Sequence, residues 1–234
     1  MGLKSDMETE VEDIFSETWD VTDARVVPEP DDLLLANDAK YFDRATILYA
    51  DLSGSTRLVD DYEWSFAGEI YKAYLLCAAK VIRSLDGVIA AYDGDRIMAV
   101  FTGDTQTSNG AKCGLQINWI VKNIVNPALC NQYPDTDFAV KQVVGIDTSE
   151  IRAARIGVRG GNDLVWIGKA ANYAAKLTEC RSDYPTWVTE AAYEKLADWA
   201  KFGGNPKQMM WKEFKWTAMD GIRVYGSDWL WKVD

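Results

Sequence analysis

The sequence predicts an α+β domain of ferredoxin-like β-α-β-β-α-β order, extended by further C-terminal strands. Three observations carry this. Ala45–Ala50 is a short apolar run rich in β-formers, read as a buried strand, and a helical apolar repeat follows over 62–85. Residues 87–101 hold two strand-like runs around Asp93-Gly94, a strong short-range hairpin signal. A second helical segment, roughly 108–125, leads to a strand at Val140–Asp147, which completes the alternation a split βαβ motif needs.

The remaining elements fall around this core. Residues 1–41 are acidic and form a separate N-terminal helix and linker, with 42–234 as the main domain. Val11, Ile14, Phe15 and Trp19 lie near one face of a helix over Met7–Trp19, expected to pack on the domain or on a dimer partner. Val26–Asp32, with two prolines and several acids, reads as a linker. In the 62–85 helix the stripe runs through Trp64, Ile70, Tyr74, Leu75, Ala78, Val81, Ile82 and Leu85, and Gly87 ends it. Leu115, Trp119 and Val121 mark the 108–125 helix, with Pro127 past its end. Residues 150–167 read as two strands joined through Arg159–Asp163. A helix over 168–181, a strand at Trp187–Thr189, a helix over 190–201 and a closing hairpin over Lys212–Trp231 follow.

Composition narrows the function classes. The chain has 234 residues and 48% hydrophobic content with ten Trp, enough for a substantial core. A net charge of −11 argues against nucleic acid or an anionic membrane as partner, although a nucleotide whose charge is met by divalent ions remains compatible. Cys77, Cys113, Cys130 and Cys180 show no Cys-x-x-Cys spacing, which points to reduced thiols, and no leader or run of 18 apolar residues is found. A soluble cytoplasmic protein is expected. The absence of histidine excludes Ser-His-Asp and Cys-His systems, His-Glu-x-x-His zinc sites and histidine bases. Catalysis must use carboxylates, Lys, Arg, hydroxyls or metal.

Asp51 ends the first strand and is followed by Ser53, Gly54, Ser55 and Thr56, a turn whose backbone N–H groups suit phosphate at a helix start. Asp51 has two readings: a cap for the next helix, or a ligand for Mg²⁺ or Mn²⁺ held over bound phosphates. If the hairpin pairs beside the first strand, Asp95 at its tip converges on Asp51, and two carboxylates with a triphosphate can hold a pair of divalent ions. Asp51–Ser55 is also faintly similar to the aspartyl nucleophile loop of haloacid-dehalogenase phosphatases, but Ser53 stands where a second Asp belongs.

Tyr49–Thr56 followed by Asp93–Phe101 resembles the catalytic domain of class III nucleotide cyclases: a strand ending in Asp-hydrophobic-x-Gly-x-Thr, then a hairpin carrying Gly-Asp. Ile167–Leu177 resembles that family's Ile-Gly-x-x-Val-Asn-x-Ala-x-Arg-Leu helix, and the likeness runs from roughly residue 42 to 228. The resemblance implies a ferredoxin-like core and a head-to-tail homodimer with active sites at its interface. It also implies attack of the ribose 3′-hydroxyl on the α-phosphate with two Mn²⁺ or Mg²⁺ ions per site. Carried over, Asp51 and Asp95 are metal ligands with the Leu52 carbonyl. Tyr49 and Ser53–Thr56 line the triphosphate, and Asn172 orients the ribose. Lys215 matches a phosphate-binding lysine or is a solvated one.

Three departures bear on substrate. The transition-state arginine is Lys176, which keeps the charge but not the planar fork. The two polar base readers of purine cyclases are replaced by Ala91 and Val165, leaving an adenine edge unpaired at roughly 1–3 kcal/mol per buried group. Tyr92 is a candidate for base or ribose contact, or a packing tyrosine. In size and motifs the chain is similar to the stand-alone pyrimidine cyclases of bacterial Pycsar antiphage systems. That similarity implies cyclic UMP, with cyclic CMP next, as product, and a separate effector that senses it. The competing readings are an adenylate or guanylate cyclase with rearranged base readers and a catalytically dead nucleotide-binding module.

Overall fold

One strand, Asp38–Ser53, runs through the middle of the sheet and carries the Asp51 turn at its end. The computed structural model describes residues 2–181 and 183–233. Its elements begin with helix α1 (Leu3–Ser16), strands β1 (Asp20–Asp23) and β2 (Asp38–Ser53), and helices α2 (Ser55–Asp61) and α3 (Trp64–Ser84). The hairpin β3 (Val88–Asp93) and β4 (Arg96–Phe101) follows, then α4 (Gln106–Ile120), a π turn (Val121–Val125) and α5 (Asn126–Gln132). Next come β5 (Lys141–Val158), β6 (Gly161–Ile167), α6 (Lys169–Leu177), β7 (Thr186–Thr189), α7 (Glu190–Lys195) and α8 (Asp198–Lys201). A two-residue ribbon, β8 (Phe202–Gly203) and β9 (Gln208–Met209), precedes the closing hairpin β10 (Lys212–Trp216) and β11 (Ile222–Ser227).

The main sheet runs β10-β11-β7-β5-β2-β4-β3, with β1 parallel to the start of β2 and β6 antiparallel to the far half of β5. Period-two alternation along β2 divides its side chains between two cores. Leu48, Ala50 and Leu52 pack under α3 and α4 with Ile70, Tyr74, Leu115 and Ile117. On the opposite face Ile47 joins Met98, Ile151 and the alanines Ala170, Ala171 and Ala174 of α6. The small alanine face lets α6 lie close on the strands. An ideal Cβ built on Gly145 of β5 would stand 2.1 Å from the Ala174 carbonyl oxygen.

The α+β order and closing hairpin agree with the sequence reading, and several local expectations are corrected. The 45–50 strand is the middle of a 16-residue one, and the first strand expected in 150–167 is the continuation of an 18-residue β5. The 62–85 helix begins at Trp64, which is 83% exposed; the stripe starts at Phe66. At its end the left-handed residue is Asp86 (φ 62), while Gly87 is required because a Cβ there would meet Ile82 and Phe101 at 2.7 Å. Pro127 does not stop the second helix: it sits in the first turn of α5, and the preceding π turn accommodates its missing N–H. The 190–201 helix divides into α7 and α8. α1 buries none of its residues on the domain, and Trp19 lies beyond it. Asn37 ties its end down through Nδ2 bonds to the carbonyls of Ile14 and Glu17 at 3.2 and 3.0 Å. The expected division at 41/42 falls inside β2.

Candidate active site

The alternation that buries Leu48 and Ala50 turns Tyr49 and Asp51 to the α6 face at the end of β2. Antiparallel pairing of Ala50 with Ile97 sets the β3–β4 loop beside Asp51. That loop is Gly94-Asp95, enclosed by the Asp93–Arg96 pair; Gly94 takes the left-handed backbone (φ +61) at the first central position. Asp95 is thereby held next to Asp51. Burial raises the pKa of Asp51 above the usual carboxylate range and the charge of Asp95 raises it further; Arg96, the Leu52 N–H and the Thr178 hydroxyl act in the opposite sense. Oδ2 of Asp95 is buried without a hydrogen-bond partner.

Such a pair fits a divalent cation. Two carboxylates in mutual repulsion, one with an orphaned oxygen, are oxygen ligands of the kind Mg²⁺ and Mn²⁺ take, with nucleotide phosphates supplying the rest. Among the described residues no cluster of three or more His, Cys, Asp or Glu side chains is placed to hold a metal unaided. The Leu52 side chain is buried in the core, so only its backbone carbonyl is available to the site. Gly54 (φ 83) caps α2, and Ser53, Ser55 and Thr56 surround it at the turn.

Arg96 was not legible as a site residue, although its position directly after Asp95 is a signal. Its guanidinium lies 5.3 Å from the centroid of the Tyr49 ring and 2.8 Å from Oδ2 of Asp93, and it acts on Asp51. Thr178 was missed because only the packing of α6 brings it to β2.

The other candidates are not gathered at this point. Asn172 and Lys176 are exposed one turn apart on α6. Nζ of Lys176 lies 3.6 Å from Sδ of Met219, toward the closing hairpin, and Lys176 is not among the groups acting on Asp51. Ala91 is exposed on the edge strand β3, paired with Met98; Val165 is 42% exposed on β6, paired with Ala154. β4, β2 and β5 lie between them. Tyr92, 56% exposed, pairs with Ile97 and so lies on the α3/α4 side of the sheet rather than the α6 side that Tyr49 faces. Lys215 is on β10 at the opposite edge of the sheet from β3, pairing with Arg223, and alternates with Phe214 and Trp216, which pack with Leu177. It therefore points away from the α6 face.

No family model matches the chain. Proteins named uridylate cyclase from Burkholderia cepacia and Xanthomonas perforans are 48% and 45% identical to it over 100% of both chains. A third so named, from a Rhodovulum species, is 31% identical over 97% of this chain and 96% of its own. Among solved structures, the adenylyl cyclase CyaB from P. aeruginosa superposes with a TM-score of 0.67 at 17% identity, covering 84% of this chain and 96% of that one. The guanylyl cyclase Cya2 gives the same TM-score and identity, covering 82% and 94%. These two likenesses establish the cyclase catalytic fold, and the full-length identity to the first relatives establishes that the chain belongs to the uridylate cyclase family.

Proposed function

We propose that this chain converts UTP to 3′,5′-cyclic UMP and pyrophosphate. The observation that carries the chemistry is the half-buried Asp51–Asp95 pair, in which the charge of Asp95 acts against ionised Asp51 and one Asp95 oxygen is orphaned, in a chain whose full-length relatives are named uridylate cyclase. Asp51, Asp95 and the Leu52 carbonyl hold two Mn²⁺ or Mg²⁺ ions. When bound, such ions acidify the ribose 3′-hydroxyl and neutralise the triphosphate. The Ser53–Thr56 turn receives the phosphates on backbone N–H groups, and Tyr49 and Arg96 form the adjoining wall.

Within one chain Nζ of Lys176 reaches toward Met219 and the closing hairpin, and completion of each site by a second copy in a head-to-tail homodimer would bring a Lys176 to the carboxylates. Asn172 of that copy orients the ribose. Lys176 supplies positive charge to the α-phosphoryl oxygens as they gain charge, through a single ammonium rather than a bidentate fork. Neither Ala91 nor Val165 offers a hydrogen bond, so a purine edge would go unpaired at those positions. UTP is the substrate, with CTP the nearest competitor. The product acts as a cytoplasmic messenger, read by a separate cyclic-nucleotide-sensing effector in antiviral defence.

The test mixes Asp51→Ala chains with Asn172→Ala chains, each folded and inactive alone. A shared site regains UTP turnover, because one intact site forms per heterodimer; no recovery in a verified heterodimer refutes the arrangement.

A further inference from the structure

Two apolar surfaces of this chain have no partner within it. Helix α1 carries Leu3, Met7, Val11, Ile14 and Phe15 on one face, all of them exposed, from 49% at Met7 to 85% at Phe15. Between α3 and the π turn with α5 lies a groove of about 270 Å³, lined mainly by apolar side chains, among them Ile70, Ala73, Leu76, Cys77, Ile124 and Leu129. Leu76 and Ile124 are 57% and 47% exposed there. The helix does not fill the groove of its own chain. Asn37 and the β1–β2 pairing tie α1 beside Asp38. Asn126, at the head of α5, is bonded instead to Val140, and the next residue, Lys141, pairs with Ser53 at the other end of β2, about 50 Å along the strand. A 14-residue helix spans only about 21 Å.

Charge matches the one surface to the other. α1 holds five acids against one lysine, with Glu10 bordering one side of the apolar face and Glu8 and Glu12 the other. Lys72, Lys80 and Lys122 stand exposed around the groove and make no ion pair among the described residues. The Tyr133 hydroxyl donates to Glu69 at 2.6 Å, which sets the end of α5 beside the start of the α3 wall. The two walls therefore run antiparallel, and Lys80 and Lys122 share the opposite end. We propose that α1 of a second copy of this chain docks in the groove, parallel to α3, with Lys4 toward Glu69 and with Glu12 and Asp13 toward Lys80 and Lys122. A helix laid by its apolar face into a groove is a recurring mode of recognition. In this register Met7 meets Ala73 and Val11 meets Cys77. Helix and groove are different patches, so the contact is heterologous, distinct from the head-to-tail contact proposed for the active sites and independent of the reading of Asp51 and Asp95.

The test uses the full chain carrying Val11→Cys, with Cys130→Ser to remove the exposed native thiol. Ordinary and ¹⁵N-labelled chains are mixed, diluted to exchange partners, concentrated, oxidised with glutathione disulfide and digested, and the linked peptides are weighed. The expected link joins position 11 to Cys77 and includes mixed-isotope pairs. Leu3→Cys in the same background, about 12 Å away along the helix, should give little of it. Lys72→Glu, Lys80→Glu and Lys122→Glu together should lower the link's yield about tenfold, and adding Glu8→Lys, Glu10→Lys and Glu12→Lys to that chain should restore it. Each variant should melt like wild type at dilution, because the domain folds without this contact. A link found only in unmixed isotopes, or one from Leu3→Cys as strong as that from Val11→Cys, overturns the assignment. So does a yield unmoved by the groove charge reversals. The absence of any link also overturns it and leaves the groove to a different partner.

Discussion

Gly145→Ala tests how closely α6 must lie on the sheet. The added methyl would stand 2.1 Å from the Ala174 carbonyl oxygen and 2.7 Å from Cβ of Leu177, where real Cβ contacts essentially never fall under 3.0 Å. The opposing atoms are helix backbone and the root of a side chain, so neither can rotate aside. The helix must retreat by about 1 Å, carrying Asn172 and Lys176 with it. Overpacking of this kind costs about 1–3 kcal/mol. Misplacement of catalytic groups by about 1 Å costs on the order of 10²-fold in rate. The two quantities separate in a thermal melt and a UTP turnover assay on the same preparation: the variant should stay folded, melt lower, and lose about a hundredfold in kcat. Wild-type turnover with an unchanged melt would refute both the close approach and the placement of catalytic groups on α6.

Other consequences follow from the same geometry. Asp147 is 1% exposed, accepts a hydrogen bond from the Thr189 hydroxyl, and has its pKa raised chiefly by burial. Its folded pKa lies above the unfolded one, so its contribution to stability is greatest below the ordinary carboxylate pKa and is lost as pH rises through the raised value. The stability of wild type relative to Asp147→Asn should therefore fall from about pH 4 upward, by at most about 1.4 kcal/mol per pH unit; a difference that rises with pH contradicts this. Arg96→Ala removes a cation that partly offsets the raised pKa of Asp51 and that repels a divalent ion more than a proton. The half-saturating Mn²⁺ should fall; an unchanged value would place Arg96 away from the metal. Gly87→Ala drives a methyl to 2.7 Å from Ile82 and Phe101 and should destabilise by about 1–3 kcal/mol in a denaturant titration. Deleting residues 2–16 removes a helix that buries nothing on the domain and should leave the melting temperature unchanged.

The legible part of the molecule was the part encoded locally. Apolar alternation around Ala45–Ala50 and the Gly94 turn declare themselves over a few residues, and together they set Asp51 near Asp95. Less legible was whatever depends on chain segments far apart. Arg96 and Thr178 reach Asp51 only because β4 and α6 flank β2, and no local period reports that. Pro127 misled because the helical backbone runs on through it: the π turn over Val121–Val125 leads straight into α5, whose first turn tolerates a proline. Tyr92 and Lys215 turn on strand register, and a single-residue shift moves a side chain to the other face. The apolar side of α1 is plain in the sequence, but its partner is not found in a single chain.

The most direct test of the central claim is a competition. Purified protein receives equimolar ATP, GTP, CTP and UTP with Mn²⁺, and the products are resolved by mass. The account predicts cyclic UMP as the dominant product, cyclic CMP a minor one, and none from Asp51→Ala. Dominant cyclic AMP or cyclic GMP, or no product from a folded dimer, would contradict it.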